Sequence, residues 1–312
     1  MKSIYIPSIL VMAIFIMGCK QEAKRPDDSL IDKKKIENMF DENPNNVLFN
    51  HLYVVLDSVS YARFRSNTFL NESYAGLDLG MPDFKKINDS VNSIYLRGEK
   101  HYLEVLGPNN RFKEQVGKVG IGFSLGENES FSLKKSPKLK EAGTKFLQGS
   151  DTVSLSIKNE KRVWYKPFYT YGMETNLYTW YSYYNPEFLE AIDGEKRDVY
   201  TRKDFLGKAY APEKLFRNFV AVILKCNRGD HFRIARELEL LGCNLEKKEG
   251  DYLTFKAGDI YLKLILDRDL EHSTIVQIES SLNREDNRRL QLDKLTIKNE
   301  GKRSLWMFDT PP

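Results

Sequence analysis

Cysteine and histidine are scarce in this chain: three cysteines and four histidines in 312 residues. Four histidines exclude a site built from many imidazoles. Charge of one sign is missing as well. Lys and Arg number 48 against 44 Asp and Glu, for a formal net charge of +4. No dense basic stripe runs along the chain, so nucleic acid is not an expected partner. No Walker or G-x-G-x-x-G element opens a helix; the glycines of "GKVGIGFSLG" sit in a segment that reads as a strand. There is no G-x-S-x-G, and neither late cysteine has a histidine neighbour. What is present is a 41% hydrophobic chain with 17 tyrosines and 18 phenylalanines. That is enough for a real core, in one large domain or two small ones, and disorder is not the default.

The long apolar run stands at the start. "MKSIYIPSILVMAIFIMGC" has Lys2, an apolar stretch from Ile9 to Met17, then Gly18 and Cys19. It is too short and too early for a membrane-spanning helix. "IMGC" resembles a bacterial lipobox. The resemblance implies a lipoprotein signal peptide at 1–18 and acylation of Cys19. The partner would then be a membrane reached through the lipid anchor, and the location the bacterial cell envelope, at the periplasmic or surface face of the outer membrane. Residues 19–46 are charged and mixed in sign, and read as a tether. Cys226 and Cys243 stand at the two ends of a helix of about a dozen residues, roughly 18 Å apart, so no disulfide is expected between them.

The rest of the chain reads as repeated units. Residues 47–116 give strand, helix and three strands: "VLFNHLYVVLD", "SVSYARFRSNTFL", "ESYAGLDLG", "SVNSIYLRGEK" and "HYLEVLGP". Residues 215–281 repeat the order with "LFRNFVAVILKC", the helix "RGDHFRIARELELLG" closed by Gly242, then "DYLTFKAG", "DIYLKLILD" and "STIVQIESS". Residues 117–200 look like a divergent middle copy, with a weak helix at "SPKLKEAGTKFLQGS" and a capped helical start at Asn185 and Pro186. Residues 283–312 read as a hairpin and tail, with a turn around Glu300 and Gly301.

Tandem βαβββ units with "NHLYVVLD" opening one and "YLEVLG" closing it resemble the vicinal oxygen chelate superfamily. "FNHLYVVLDS", "IYLRGEKHYLEVLGP", "GIGFSLG" and "TWYSYYNPEFL" are similar to glyoxalase-like bacterial proteins of no assigned function. The resemblance implies an α+β fold of curled mixed sheets. It also implies a pocket where a divalent metal is held by first-strand and last-strand ligands and activates a substrate with two neighbouring oxygens. Residue type would not choose among zinc, iron, nickel and manganese.

Carried onto this chain, the resemblance makes His51 and Glu104 the candidate metal ligands and catalytic residues. Strand parity allows both, and Glu104 between Leu103 and Val105 is costly to bury unless paired or ligating. The second ligand pair is missing. The middle copy offers Ser182, Tyr183 and Tyr184 where a carboxylate is expected, and the last copy offers Asn218 and Lys263. Three readings follow: a degenerate metal site with a third ligand elsewhere, a hydrogen-bonded His–Glu pair that moves a proton, or a structural pair in a pocket that only binds. Tyr53, Tyr102, Trp180, Ser182 and Tyr184 are the expected pocket residues. Function is thus expected to be small-molecule binding by a lipid-anchored protein, with a metal-dependent lyase, isomerase or dioxygenase, or a structural lipoprotein, as alternatives.

Overall fold

The computed structural model describes residues 47–81, 84–125, 148–149, 152–170 and 174–309. The expected signal peptide, Cys19 and the tether lie outside the described residues. The first unit runs β1 (Val47–Val55), α1 (Ser58–Ser66), β2 (Gly76–Asp78), β3 (Ser93–Arg97) and β4 (Tyr102–Leu106), with a π-helical turn at Leu70–Tyr74. Asp57 caps α1 by accepting from the backbone N–H groups of Val59 and Ser60. β1 returns to lie parallel to β4, so the order is β2-β3-β4-β1. β5 (Val119–Leu125), β6 (Gln148–Gly149), β7 (Val153–Ile157), β8 (Glu160–Tyr169) and β9 (Leu177–Tyr184) extend the same sheet. β5 is antiparallel to β1 and parallel to β9. The helix expected at 136–150 lies outside the described residues, except Gln148–Gly149, which is strand.

Two short helices follow, α2 (Pro186–Asp193) and α3 (Arg202–Leu206). Asn185 caps α2, with Pro186 at its first position. The last unit holds β10 (Phe216–Cys226), α4 (Arg228–Leu240), β11 (Asn244–Glu249), β12 (Tyr252–Ala257) and β13 (Ile260–Leu266). β14 (Thr274–Asp286), β15 (Arg289–Leu292) and β16 (Leu295–Phe308) complete a seven-stranded sheet ordered β11-β12-β13-β10-β14-β16-β15. The fold is α+β, mostly strand, in two mixed sheets.

Two strand readings differ from the structure. The wholly exposed "NLEKKE" forms β11, and having no apolar alternation it carried no strand signal. "STIVQIESS" is therefore β14, an added strand antiparallel to β10, rather than the last strand of the unit. The C-terminal turn falls between Leu292 and Leu295, where Asp293 takes φ +64°, a conformation Asp tolerates. Gly301, at φ +63°, lies inside β16 where that strand pairs with Asp286.

The sheets meet back to back. Leu52, Val54, Ile121 and Phe123 of one are fully buried with Val222, Leu224 and Ile278 of the other. The rings of Phe49 and Phe219 touch at 5.8 Å. Helices are shared across the seam: Phe64 of α1 lies 6.0 Å from Trp306 of β16, and Glu237 of α4 accepts from Thr179 and Tyr181 of β9. Each β-hairpin also closes on the first strand of the other unit. A Cβ at Gly98 would stand 2.2 Å from the Arg217 carbonyl, and one at Gly258 would stand 2.4 Å from that of Val47. Only glycine permits so close an approach. His101 is buried in this joint. Its Nδ1 accepts from the Phe219 N–H at 3.1 Å, and its Nε2 lies 3.0 Å from Asp259, which also pairs with Arg202. The two late cysteines are free thiols.

Candidate functional site

The concave face of the first sheet carries the site. The pairing register shifts between Phe49 and His51. This bulge at Asn50 lets Phe49 and Leu52 both face the core while His51 and Tyr53 turn to the concave side. Parity places Tyr102 and Glu104 of β4 and Tyr95 and Arg97 of β3 on the same side, through the pairs His51–Tyr102, Tyr53–Glu104, Tyr95–Glu104 and Arg97–Tyr102.

His51 and Glu104 line one cavity of about 390 Å³, but each has its own partner. His51 is 6% exposed and stacks on Tyr102 at 4.3 Å. Its Nδ1 donates to Asn50 Oδ1 at 3.0 Å, since the amide oxygen is an acceptor, and Asn50 is held in turn by Ser124. Burial first, and the Arg97 charge second, push the imidazole down to about 3, so it stays neutral in ordinary conditions. A carboxylate partner would have done the opposite. Glu104, 8% exposed, accepts a short bond from the Tyr95 hydroxyl, which itself accepts from Arg111 at 2.5 Å. Burial raises its pKa, and Tyr95, Arg111 and Arg97 pull it partly back. Among the described residues its other oxygen has no partner.

Arg97 is 1% exposed and bonds Asp78 through two nitrogens, at 2.7 and 2.9 Å. Its guanidinium lies over the rings of Tyr95 and Tyr102 at 4.6 and 4.8 Å. Tyr95, Arg97 and Arg111 escaped the sequence reading. The hairpin register of "IYLRGEKHYLEVL" was the available signal, because it sets Tyr95 directly opposite Glu104.

The expected pocket residues divide. Tyr102 lines the cavity beside Glu104, while Tyr53 and Trp180 line a second cavity of about 400 Å³ that shares Tyr165 with the first. Ser182 and Tyr184 are both buried; Tyr184 packs with Leu189 of α2 and Phe205 and Leu206 of α3, and stacks on Tyr200 at 4.8 Å. The glycines of β5 explain where Trp180 lies. A Cβ at Gly120 or Gly122 would stand 2.7 Å from indole atoms, so the ring rests across the bare strand and reaches His51 at 5.2 Å.

The metal implied by the resemblance can be tested against these side chains. Among the described residues, no three of His, Cys, Asp and Glu come together to hold a metal ion. The first cavity offers His51 and Glu104 alone, and lines them with Arg97 and Arg111. Two donors fall short of the three usual in a catalytic zinc site, and two cations oppose a third. The residues do not fit a divalent metal, and no chemistry is routed through one.

Fold and site together define a class: a two-sheet protein of βαβββ units with an aromatic, carboxyl-bearing cavity on one sheet. The chain belongs to the family of unknown function DUF5829, whose family model matches residues 49–308. No curated protein matches the sequence. Among solved structures it is similar to a hypothetical protein from Staphylococcus aureus, at 13% identity and a TM-score of 0.44, covering 71% of this chain and 86% of that one. It is also similar to a Bacillus subtilis protein provisionally described as a dioxygenase, at 11% identity and a TM-score of 0.27, covering 80% of each. These values carry no argument about function.

Proposed function

We propose that the chain is a lipid-anchored envelope protein that binds a flat, mostly apolar small molecule in the Glu104 cavity. One observation carries the reading: a carboxyl group at the wall of an aromatic cavity, with one oxygen bonded by Tyr95 and the other, among the described residues, without a partner. That second oxygen opens onto the cavity, where a ligand hydroxyl or amine can donate to it. Tyr95, Tyr102, Phe112, Trp164 and Phe205 supply ring surface for the ligand body. The volume lies in the range of ordinary ligand pockets. The βαβββ order, with β1 between β4 and β5, favours the glyoxalase-like reading of the scaffold, and the missing ligand set favours binding over metal chemistry.

A thermal-shift screen of phenols, indoles and other flat hydroxylated or aminated rings tests this. At least one should raise the melting temperature of the wild type and not of Glu104→Gln. A screen without a stabilising compound would refute the proposal. The anchor is tested separately: Cys19→Ala should release the protein from the membrane fraction, and continued retention would contradict lipidation.

A further inference from the structure

The second cavity has a different chemistry from the first, and what it lacks is as informative as what it holds. Among the described residues Arg233 is its one lining cation, and all five of its N–H groups are already engaged. Nε and one Nη2 bond go to Asp230 at 3.1 and 2.7 Å; Nη1 bonds Thr179 at 2.5 Å and Glu237 at 2.9 Å; the other Nη2 bond reaches the Leu177 carbonyl at 2.6 Å. No donor is left for an anion. At the rim, Glu114 is matched by Lys118 at 3.8 Å. Among the described residues the lobe therefore has no uncompensated charge to offer a ligand.

Hydroxyl groups and rings remain. Tyr53, Tyr165 and Tyr178 line the lobe with Trp180. The Tyr53 and Tyr165 hydroxyls have no hydrogen-bond partner among the described residues. Thr170 donates to Glu237 at 2.6 Å and Thr175 donates to Asp230 at 2.7 Å. The Thr175 oxygen already accepts from the Leu177 N–H at 2.9 Å, and each of the two threonine oxygens keeps a lone pair that can still accept. Trp180 lies across the side-chain-free backbone of Gly120 and Gly122 and forms part of the wall. A flat ring beside several uncharged hydroxyls suits a ligand with one apolar C–H face and a hydroxylated edge, which is the surface of a sugar ring.

We infer that this lobe is a carbohydrate subsite for a neutral, polyhydroxylated ring stacked on Trp180 and hydrogen-bonded by Tyr53 and Tyr165. The inference rests on the small-molecule reading above and deepens it. Because the lobes share Tyr165, a ligand with a sugar joined to a flat aglycone can occupy both.

The test is calorimetry and tryptophan fluorescence on the full-length protein in a sugar-free detergent. The probes are methyl glycosides of glucose, galactose, mannose and N-acetylglucosamine, the disaccharides maltose and cellobiose, and glucuronate and choline as charged comparisons. At least one neutral sugar should bind saturably and shift the emission. Tyr53→Phe and Tyr165→Phe, which keep the ring, should each weaken it roughly two- to tenfold. Trp180→Phe should abolish the emission shift. Glu104→Gln should leave sugar binding unchanged. No response to any neutral sugar, or binding of choline or glucuronate alone, overturns the inference. If flat rings still bind at Glu104 in that case, the sugar subsite alone has failed; if they do not, the small-molecule reading has failed with it.

Discussion

The two sheets contain copies of one βαβββ unit, and their concave faces have gone separate ways. The register makes the comparison residue by residue. Glu104 pairs with Tyr53 and Tyr95 in the first sheet; Lys263 pairs with Ile223 and Thr254 in the second. Two residues back along the first strand of each unit, His51 corresponds to Ala221, so the Asn218 expected from the sequence lies three positions away. Arg97 over Tyr102 corresponds to Lys256 over Tyr261. In the first sheet these groups are buried, with Phe205 of α3 6.0 Å from the Tyr102 ring, whereas Tyr261 is 38% exposed. The seam side of both sheets stayed apolar because each sheet needs the other for its core. The concave side was free to change, and only the first became a covered aromatic site.

The largest effect that could break this comparison is acid sensitivity. The folded state holds His51 neutral down to about pH 3, while the unfolded chain takes up the proton near 6.5. Stability from this residue is whole above 6.5 and falls as the pH drops toward 3, by on the order of 5 kcal/mol. His51→Gln should lose less stability than the wild type between pH 7 and 3 in chemical-denaturation titrations. Equal losses would mean that His51 is as open to water as the second sheet's face. Next in size is the guanidinium pair. Arg97→Ala should cost about 3–5 kcal/mol, because it leaves the Asp78 carboxylate buried without its cation, with only the Gly80 N–H to bond it. The corresponding Lys256→Ala should cost about 1 kcal/mol or less. Similar losses for both would remove the distinction between the faces.

Much of this was legible in the sequence. The alternation of "HLYVVL" and "YLEVL" marked strands, and the self-similarity of 47–116 and 215–281 marked the repeat. Parity put His51 with Tyr53 on a face of the first strand and Glu104 with Tyr102 on a face of its own strand, because parity is a local property of a strand. What the alternation alone does not give is how neighbouring strands align. Hairpin register makes Tyr95 the partner of Glu104, and a bulge at Asn50 sets the phase of β1; neither changes the hydrophobic pattern. Ser182 and Tyr184 line neither of the two cavities described. They do face the concave side, but Tyr184 packs against Leu189 of α2 and Phe205 of α3, and a covering segment leaves no mark on the strand it covers. β11 was missed because an exposed edge strand needs no apolar residue.

The smaller effects probe the strand beside the first one in each sheet. His51 lies opposite Gly122, and Ala221 opposite Glu279, so a large and small pair in one sheet is reversed in the other. Gly122→Ala would put a Cβ 2.7 Å from the Trp180 indole. The ring has Gly120 beneath it and Tyr53 beside it, so relief requires strained packing, at about 1–3 kcal/mol. It should also change Trp180 emission. Glu279→Ala removes a carboxylate that bonds Lys263 at 3.1 Å and Arg303 at 3.2 Å, with Arg303 well exposed. Water takes over for both cations when the carboxylate is gone, so the loss should be about 1 kcal/mol or less and should shrink further in salt. A larger, salt-insensitive loss at Glu279 would show that the second concave face is shielded from water in solution, and that the two faces differ in residue type but not in environment.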